Sequence, residues 1–196
     1  ANFPFCTINP NIGIVDVVDE RLDQLTKLSN SKRKIYTNIT FVDIAGLVKG
    51  ASKGEGLGNK FLSHIREVDA IIHLVRCFES DKITHVNSKI SPVDDLETIK
   101  TEIILSDLDI IQKKLEKGKK KLLEEKEIKI LEDKLKQLND GRGVVANDKA
   151  EEKFLTTLGL LTIKPKIIVC NVDEESLTKG NPFTENVKRN YSEEKV

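Results

Sequence analysis

The chain of 196 residues has no methionine and no tryptophan, and it has only three cysteines. Cys6, Cys77 and Cys170 are too few and too widely spaced for a disulfide framework or a zinc site, so we expect buried free thiols. No apolar run approaches the roughly 18 residues that cross a bilayer, and no signal peptide is visible. These features predict a cytoplasmic protein without a membrane partner.

An excess of charge of one sign is also missing. The chain has 32 Lys+Arg and 32 Asp+Glu, so no overall field directs it to DNA, and no DNA partner is expected. Charged residues nevertheless make up 33% of the chain, and many lie between Lys113 and Lys136. This distribution predicts a globular domain that carries a solvated helical insertion.

Continuous apolar runs predict four strands, over 12–18, 35–43, 70–77 and 166–170, and helical spacing predicts helices over 20–28 and 59–68. Such runs are typical of strands that are buried on both faces, so we expect a parallel or mixed sheet flanked by helices.

The charged middle of the chain has helical periodicity. Asp94 and Glu97 have the spacing that predicts a capping box, and apolar residues keep heptad spacing on either side of Gly118. We expect two helices that fold back as an antiparallel coiled-coil hairpin, with one long helix as the alternative. Lysines gather near the predicted bend: Lys113, Lys114, Lys117, Lys119, Lys120 and Lys121. They are either a solvated surface or a contact for RNA phosphates.

The segment TFVDIAGLVKGASKGEGLGNKFL, from Thr40 to Leu62, combines a strand, a DxxG pattern and five glycines. Asp43 ends the strand, where its carboxylate can hold a magnesium ion, and the N–H of Gly46 can approach a terminal phosphate. DxxG alone also fits a plain strand-to-turn transition, but so many glycines exceed what a turn needs. The segment therefore favours a nucleotide switch.

Together with ANFPFCTINPN at the start and NVDE near the end, this segment resembles the YchF (Obg-like ATPase) family, in the Obg branch of the P-loop GTPases. The resemblance implies an α/β P-loop NTPase fold with a mixed, mostly parallel sheet. It places a nucleotide-binding domain in residues 1–92 and 141–196, and the coiled-coil hairpin as an insertion in residues 93–140.

The resemblance also implies roles for single residues. Thr7 would ligate magnesium and close over the γ-phosphate, whereas the residues alone favour a threonine that caps a helix or a turn. Asp43 would hold the ion through water, and Gly46 would sense the γ-phosphate. Leu47 stands where Ras-like enzymes carry a glutamine that orients the attacking water, which predicts slow intrinsic turnover.

NVDE resembles an altered form of NKxD, the base-reading motif of GTPases. Asn171 keeps its scaffold role, Val172 replaces the lysine that packs on the base, and Glu174 is one methylene longer than the guanine-reading aspartate. The family's NxxE pattern goes with ATP preferred over GTP. Without the resemblance, NVDE is also compatible with a turn at the end of a strand.

Nothing in the sequence matches GxxxxGK[ST], the loop that cradles phosphates in P-loop proteins. We therefore interpret the chain as a fragment without its P-loop and without the C-terminal TGS domain of the family, and we expect it to be inactive alone. The leading hypothesis is a ribosome-associated switch that hydrolyses ATP, or GTP less well, with Mg²⁺. The alternatives are an Obg-type GTPase specific for GTP, and a non-catalytic coiled-coil adaptor that binds RNA or the ribosome.

Overall fold

The computed structural model describes residues 11–44, 57–80, 90–118 and 123–192. The chain divides into two compact units. The small unit comprises residues 6–45, and the large unit comprises residues 1–5 and 46–196.

The small unit is a pair of antiparallel strands joined through a helix. It contains β1 (Asn11–Val17), α1 (Glu20–Leu28) and β2 (Thr37–Asp43), close to the predicted boundaries. The strands pair along their whole length, from Asn11 opposite Asp43 to Val17 opposite Thr37. Asp19 caps α1 because its carboxylate accepts a hydrogen bond from the Arg21 N–H at 2.9 Å.

A polar cluster connects α1 to the segment before β2. Asp23 of α1 forms an ion pair with Lys34 and accepts a hydrogen bond from the Tyr36 hydroxyl at 2.9 Å. The Lys34 ammonium also lies 4.6 Å from the centre of the Tyr36 ring, within cation–π distance. Hydrogen bonds from Lys34 and then Tyr36 lower the pKa of the Asp23 carboxyl.

Apolar side chains of the small unit remain exposed on both faces of its sheet. Ile14 is 67% exposed and Ile39 is 51% exposed, and α1 contributes no buried residue. The prediction that these strands are buried on both faces is therefore wrong for β1 and β2. The two strands pair only with each other among the described residues, and apolar side chains on both faces of the pair remain largely uncovered.

The large unit contains two strands and most of the helices. In chain order its elements are α2 (Leu57–Glu67), β3 (Ile71–Arg76), α3 (Pro92–Gly118), α4 (Glu125–Asn139), α5 (Lys149–Thr157), β4 (Lys166–Asn171), α6 (Ser176–Lys179) and α7 (Pro182–Asn190). β3 and β4 are parallel, with Ile71 opposite Lys166 and Arg76 opposite Asn171.

One face of the β3–β4 pair forms a core with α3 and α7. Its buried members are Val75, Cys77, Leu96, Ile168, Val187 and Tyr191. The opposite face is exposed, with Leu74 at 62% and Ile167 at 42%. Burial on both faces was thus wrong for these strands as well, because helices cover only one side of the pair in the described residues.

The predicted helical hairpin is present, and the single long helix is excluded. α3 ends at Gly118 and α4 begins at Glu125, and apolar residues of both helices share one core: Ile104, Ile111, Leu115, Leu131 and Leu138. A side chain on Gly118 would collide with Leu123, whose Cγ would lie 2.9 Å from the added Cβ. The same core continues into Val144 and Leu155, and the domain boundary at residue 140 stays a prediction.

Buried polar contacts fix these helices to the segment before β4. Asp107 of α3, fully buried, accepts hydrogen bonds from the N–H groups of Leu161 at 2.9 Å and Thr162 at 2.8 Å. Burial raises the pKa of the Asp107 carboxyl, and the two backbone hydrogen bonds oppose this effect only in part. The loop that leads into β4 is therefore held on the side of α3.

Within the described ranges, no helix combines the length and the apolarity that crossing a membrane requires.

Candidate functional site

The residues predicted to act on a nucleotide are distributed over both units. Asp43 ends β2 in the small unit, whereas Asn171, Val172 and Glu174 lie together at the end of β4 in the large unit. Of the other predicted site residues, three lysines lie on α3, and the rest lie outside the described residues: Thr7, Gly46, Leu47, Lys119, Lys120 and Lys121. The structure thus brings together the residues predicted to frame the base.

The β4 loop, which we define as residues 171–181, starts at the carboxyl end of a strand. Asn171 is the last residue of β4, its carbonyl accepts a hydrogen bond from the Cys77 N–H at 2.7 Å, and its side chain is exposed. Its neighbour in the sheet is Arg76. Ligands of open α/β sheets bind at this edge, so the placement agrees with the predicted role of Asn171.

The Arg76 side chain shapes the chain that leaves β3. Its Nε donates to the Phe78 carbonyl at 3.0 Å and its guanidinium lies 4.8 Å from the centre of the Phe78 ring. A second guanidinium nitrogen lies 3.3 Å from the Ser80 carbonyl. These contacts order residues 76–80 beside the β4 loop.

Val172 points inward and Glu174 points outward. The Val172 side chain is half-buried and packs, with Phe183, against the core on the covered face of the sheet. Glu174 is exposed, while its carbonyl accepts a hydrogen bond from the Leu177 N–H at 3.3 Å. The loop therefore exposes both the Glu174 carboxylate, which accepts hydrogen bonds, and the side-chain amide of Asn171.

Asp173 has a structural role that the sequence interpretation missed. Its carboxylate accepts a hydrogen bond from the Ser176 N–H at 2.8 Å. Hydrogen bonds from the Ser176 side chain and then its backbone lower the pKa of the Asp173 carboxyl. The spacing of three residues between Asp173 and Ser176 is the signal that could have indicated this turn. Of the two acidic residues in NVDE, Glu174 is thus the one whose side chain has no hydrogen-bond partner among the described residues.

Asn181 at the far end of the β4 loop was also missed as a site residue. It caps α7, accepting from the Thr184 N–H at 3.0 Å, and its side-chain amide donates to the Cys77 carbonyl at 2.7 Å. The Asn-Pro pair with a threonine three residues after the asparagine is the sequence signal for this cap.

Cys77 contributes through its backbone rather than its thiol. It is fully buried, and burial, followed by the influence of neighbouring Cys170, raises the pKa of the Cys77 thiol to about 12. Such a thiol stays neutral and unreactive near pH 7. The prediction of buried free thiols is confirmed for Cys77, while Cys170 is a half-buried free thiol.

Asp43 has the properties of a magnesium ligand. Its carboxylate is exposed at the end of β2, and within the described ranges it has no hydrogen-bond or ion-pair partner. Magnesium in nucleotide sites is usually held by one or two carboxylates together with water and phosphate oxygens. The described residues contain no group of three or more His, Cys, Asp or Glu side chains that could hold a metal. An exposed carboxylate is compatible with this kind of site, and the role of Asp43 as a magnesium ligand stays a prediction.

Three of the predicted RNA-contacting lysines lie on the last turns of α3. Lys113 forms an ion pair with Asp109 at 2.7 Å and is mostly exposed, and Lys117 is exposed in the final turn. Lys114 is half-buried. The end of the helix thus presents positive charge, which also favours the helix dipole.

Comparison with known proteins adds to this geometry. A family model described as 50S ribosome-binding GTPase matches residues 1–106, more than half of the chain. The chain belongs to this family. Ribosome-binding ATPase YchF of Bacillus subtilis (strain 168) is 48% identical to it over 185 residues, which cover 90% of this chain and 50% of that protein. Ribosome-binding ATPase YchF of Escherichia coli O157:H7 is 49% identical over 197 residues, covering 96% and 53%.

A solved structure, that of the Schizosaccharomyces pombe YchF GTPase, matches with a TM-score of 0.77 and 35% identity. The match covers 99% of this chain and 55% of that chain. The chain therefore spans about half the length of the relatives that it matches. The comparisons confirm the resemblance to YchF and the P-loop NTPase fold that the motifs predict for this member of the GTPase family.

Proposed function

We propose that the protein containing this chain is a ribosome-associated NTPase that binds and hydrolyses ATP in preference to GTP. Membership of the 50S ribosome-binding GTPase family supports the nucleotide site and the ribosome as partner. The names of the YchF relatives, ribosome-binding ATPase, support ATP as substrate. A ribosome partner also favours the cytoplasm as its location.

The observation that carries the adenine preference is the exposed Glu174 carboxylate at the end of β4. Guanine offers two donors, N1–H and the N2 amine, to the shorter aspartate of NKxD. Adenine has an acceptor at N1, which repels a carboxylate placed there, and its donor is the N6 amine. Because Glu174 carries one more methylene, its oxygens extend beyond the guanine-reading position and can accept from N6.

Hydrolysis would proceed by attack of water on the γ-phosphate, where positioning and charge stabilisation supply most of the acceleration. Thr7 and Asp43 would hold Mg²⁺, which neutralises phosphate charge when bound. The Gly46 N–H would contact the γ-phosphate. Leu47 cannot hydrogen-bond the attacking water, so we expect slow turnover that a partner or another group accelerates.

A competition measurement on the full-length protein tests the substrate preference. ADP and GDP are titrated against the same fluorescent nucleotide, with Mg²⁺ present. We expect ADP to bind more tightly, and tighter binding of GDP would establish the Obg-type GTPase instead. An Asp43→Asn variant serves as a control, because it should weaken the dependence on Mg²⁺ and leave the ratio of ADP to GDP affinity unchanged.

We also propose that the lysines near the hairpin bend contact ribosomal RNA. The full set is Lys113, Lys114, Lys117, Lys119, Lys120 and Lys121. Changing them to glutamine should reduce sedimentation with ribosomes and flatten its dependence on salt. Changing Lys126, Lys129 and Lys136 of α4 to glutamine is the matched control for a variant in which only Lys113, Lys114 and Lys117 are changed, because each removes three charges from the same hairpin. If both variants sediment with ribosomes equally well, this surface does not contact ribosomal RNA. The proposal for the nucleotide site would be unaffected by that result.

A further inference from the structure

The backbone of a single residue, Cys77, holds both ends of the β4 loop. The Cys77 N–H donates to the Asn171 carbonyl, and the Cys77 carbonyl accepts from the Asn181 side-chain amide, each at 2.7 Å. We call these two hydrogen bonds the Cys77 clamp. The clamp closes the loop that contains Glu174, much as the neck of an Ω-loop is closed.

The two bonds of the clamp differ in what they require of the sequence. The bond to Asn171 is made between backbone groups and continues the parallel ladder, so most residues could make it. The bond from Asn181 uses a side chain 104 residues away in the sequence. Only the second bond depends on which residue occupies the position.

Asparagine is specifically suited to position 181. Its oxygen accepts from the Thr184 N–H at 3.0 Å, while its amide donates to the Cys77 carbonyl at 2.7 Å. The Thr184 N–H can only donate and the carbonyl can only accept, so the side chain must be an acceptor on one side and a donor on the other. Aspartate or serine could cap the helix equally well, but an ionised aspartate has no donor, and the serine hydroxyl, which can donate, lies on a shorter side chain.

The Cys77 carbonyl is buried and requires a hydrogen-bond donor. Cys77 is 0% exposed, so water cannot replace the Asn181 amide, and an unpaired buried acceptor is costly. The adjoining Gly180 has φ of +69°, which turns the chain sharply into the cap. The hydrogen bond from Asn181 to Cys77 therefore fixes the position of the far end of the loop.

We propose that Asn181 is a positioning residue for base recognition, which fixes the β4 loop so that Glu174 is presented at one distance from the edge of the sheet. This inference rests on the proposed function of the loop. Inside the clamp, Val172 packs on the core and Asp173 is engaged with Ser176. Glu174 itself has an exposed side chain, so its placement depends on the backbone that carries it.

The test is the Asn181→Asp variant of the full-length protein. It keeps the helix cap, removes the donor and sets a carboxylate against the Cys77 carbonyl. We expect ADP affinity to fall about tenfold and the ratio of ADP to GDP affinity to approach one. The KM for ATP should rise by a larger factor than kcat falls, because the base is bound in both the ground state and the transition state.

Two further variants separate positioning from a loss of folding. Asn181→Ser keeps an uncharged cap but is too short to reach Cys77, and we expect the same change in selectivity. Asn190→Asp is the matched control on the same helix, because the Asn190 amide donates only to Asn186, at 2.8 Å and 3.0 Å. It should leave both affinities unchanged. Thermal melts of all variants report folding.

The outcomes distinguish this inference from the proposed function. If the wild-type protein binds ADP and both Asn181 variants keep its affinity and its selectivity, the positioning role is wrong and the proposed function stands. If the wild-type protein binds neither ADP nor GDP, the proposed function fails and the positioning role fails with it. A loss of selectivity in both variants, with Asn190→Asp unaffected, supports the inference.

Discussion

β2 and β4 are both apolar strands that end in a residue predicted to contact a nucleotide, yet the two ends are supported in different ways. β4 packs one face on α3 and α7, and the loop after it is fixed by the Cys77 clamp. β2 pairs only with β1 among the described residues, and apolar side chains such as Ile39, 51% exposed, remain uncovered.

The difference concerns what each end has to do. The proposed reading of a base requires acceptors at a constant distance, and in the β4 loop Val172 is packed on the core and Asp173 is hydrogen-bonded to Ser176, while Glu174 is exposed. Holding a metal ion requires a carboxylate that is not already engaged, and Asp43 has no side-chain partner within the described ranges. An apolar strand that ends in a polar residue can therefore lead either into a loop fixed by packing and hydrogen bonds, as β4 does, or to an exposed carboxylate, as β2 does.

The largest expected effect comes from the same substitution made in the two sheets. Ile168→Ala in β4, where the side chain is 2% exposed, should lower the free energy of unfolding by about 2–5 kcal/mol because it leaves a cavity. Ile39→Ala in β2 should cost less than about 1 kcal/mol. Urea unfolding of the 196-residue chain measures both. Ile167→Ala, on the exposed face of β4, is the control for position within the same strand. If Ile168→Ala and Ile39→Ala lowered the free energy of unfolding equally, the two sheets would not differ in packing as described.

A second comparison uses one buried and one exposed carboxylate. Asp107→Asn in the large unit should cost about 1–3 kcal/mol at pH 7, since an asparagine can accept from only one of the two buried N–H groups of Leu161 and Thr162. Asp23→Asn in the small unit removes a surface contact with Lys34 and Tyr36 and should cost less.

The pH dependence of these two variants should have opposite signs. The folded pKa of Asp107 is raised from 3.8, so its stabilising contribution is complete below pH 3.8 and falls as the pH rises through the folded pKa. The folded pKa of Asp23 is lowered from 3.8, so its contribution is complete above pH 3.8 and is lost as the pH falls through the folded pKa. The free energy of unfolding of each variant, measured against pH relative to the wild type, would show the two opposite trends. If the two variants followed the same trend with pH, the opposite pKa shifts of Asp107 and Asp23 would be wrong.

The smallest effect is expected from two glycines. Gly180→Ala, at a φ of +69°, should destabilise the large unit by roughly 1–2 kcal/mol because left-handed backbone disfavours a Cβ. Gly13→Ala in β1 should be neutral or slightly stabilising, since nothing lies within 4 Å of an added Cβ. Thermal melts compare the two variants. A Gly180→Ala variant that is more stable than the wild type would show that the backbone at the end of the β4 loop is not constrained to a positive φ.

Local structure was largely predictable from the sequence. The α1 helix, Glu20–Leu28, has the predicted boundaries, and each strand begins and ends within two residues of its prediction, because apolar periodicity and caps are local signals. The bend at Gly118 was predictable for the same reason. α5 was not predicted, although Asp148 caps it through the Glu151 N–H at 2.8 Å.

Contacts between distant parts of the chain could not be predicted. The bond of Asp107 to Leu161 spans 54 residues and that of Asn181 to Cys77 spans 104, and no local pattern identifies either partner. For the same reason an apolar run identified a strand without showing whether a layer covers it. In the candidate site, NVDE indicated Asn171 and Glu174, whereas the two hydrogen bonds of the Cys77 clamp follow only from the fold.

The most direct test of the account is the ratio of ADP to GDP affinity in the full-length protein with Glu174→Asp, measured beside the wild type. This substitution shortens the carboxylate to the length that reads guanine and leaves the loop backbone unchanged. The account predicts that the wild type prefers ADP and that the variant shifts markedly toward GDP. An identical ratio in the two proteins would show that Glu174 does not read the base.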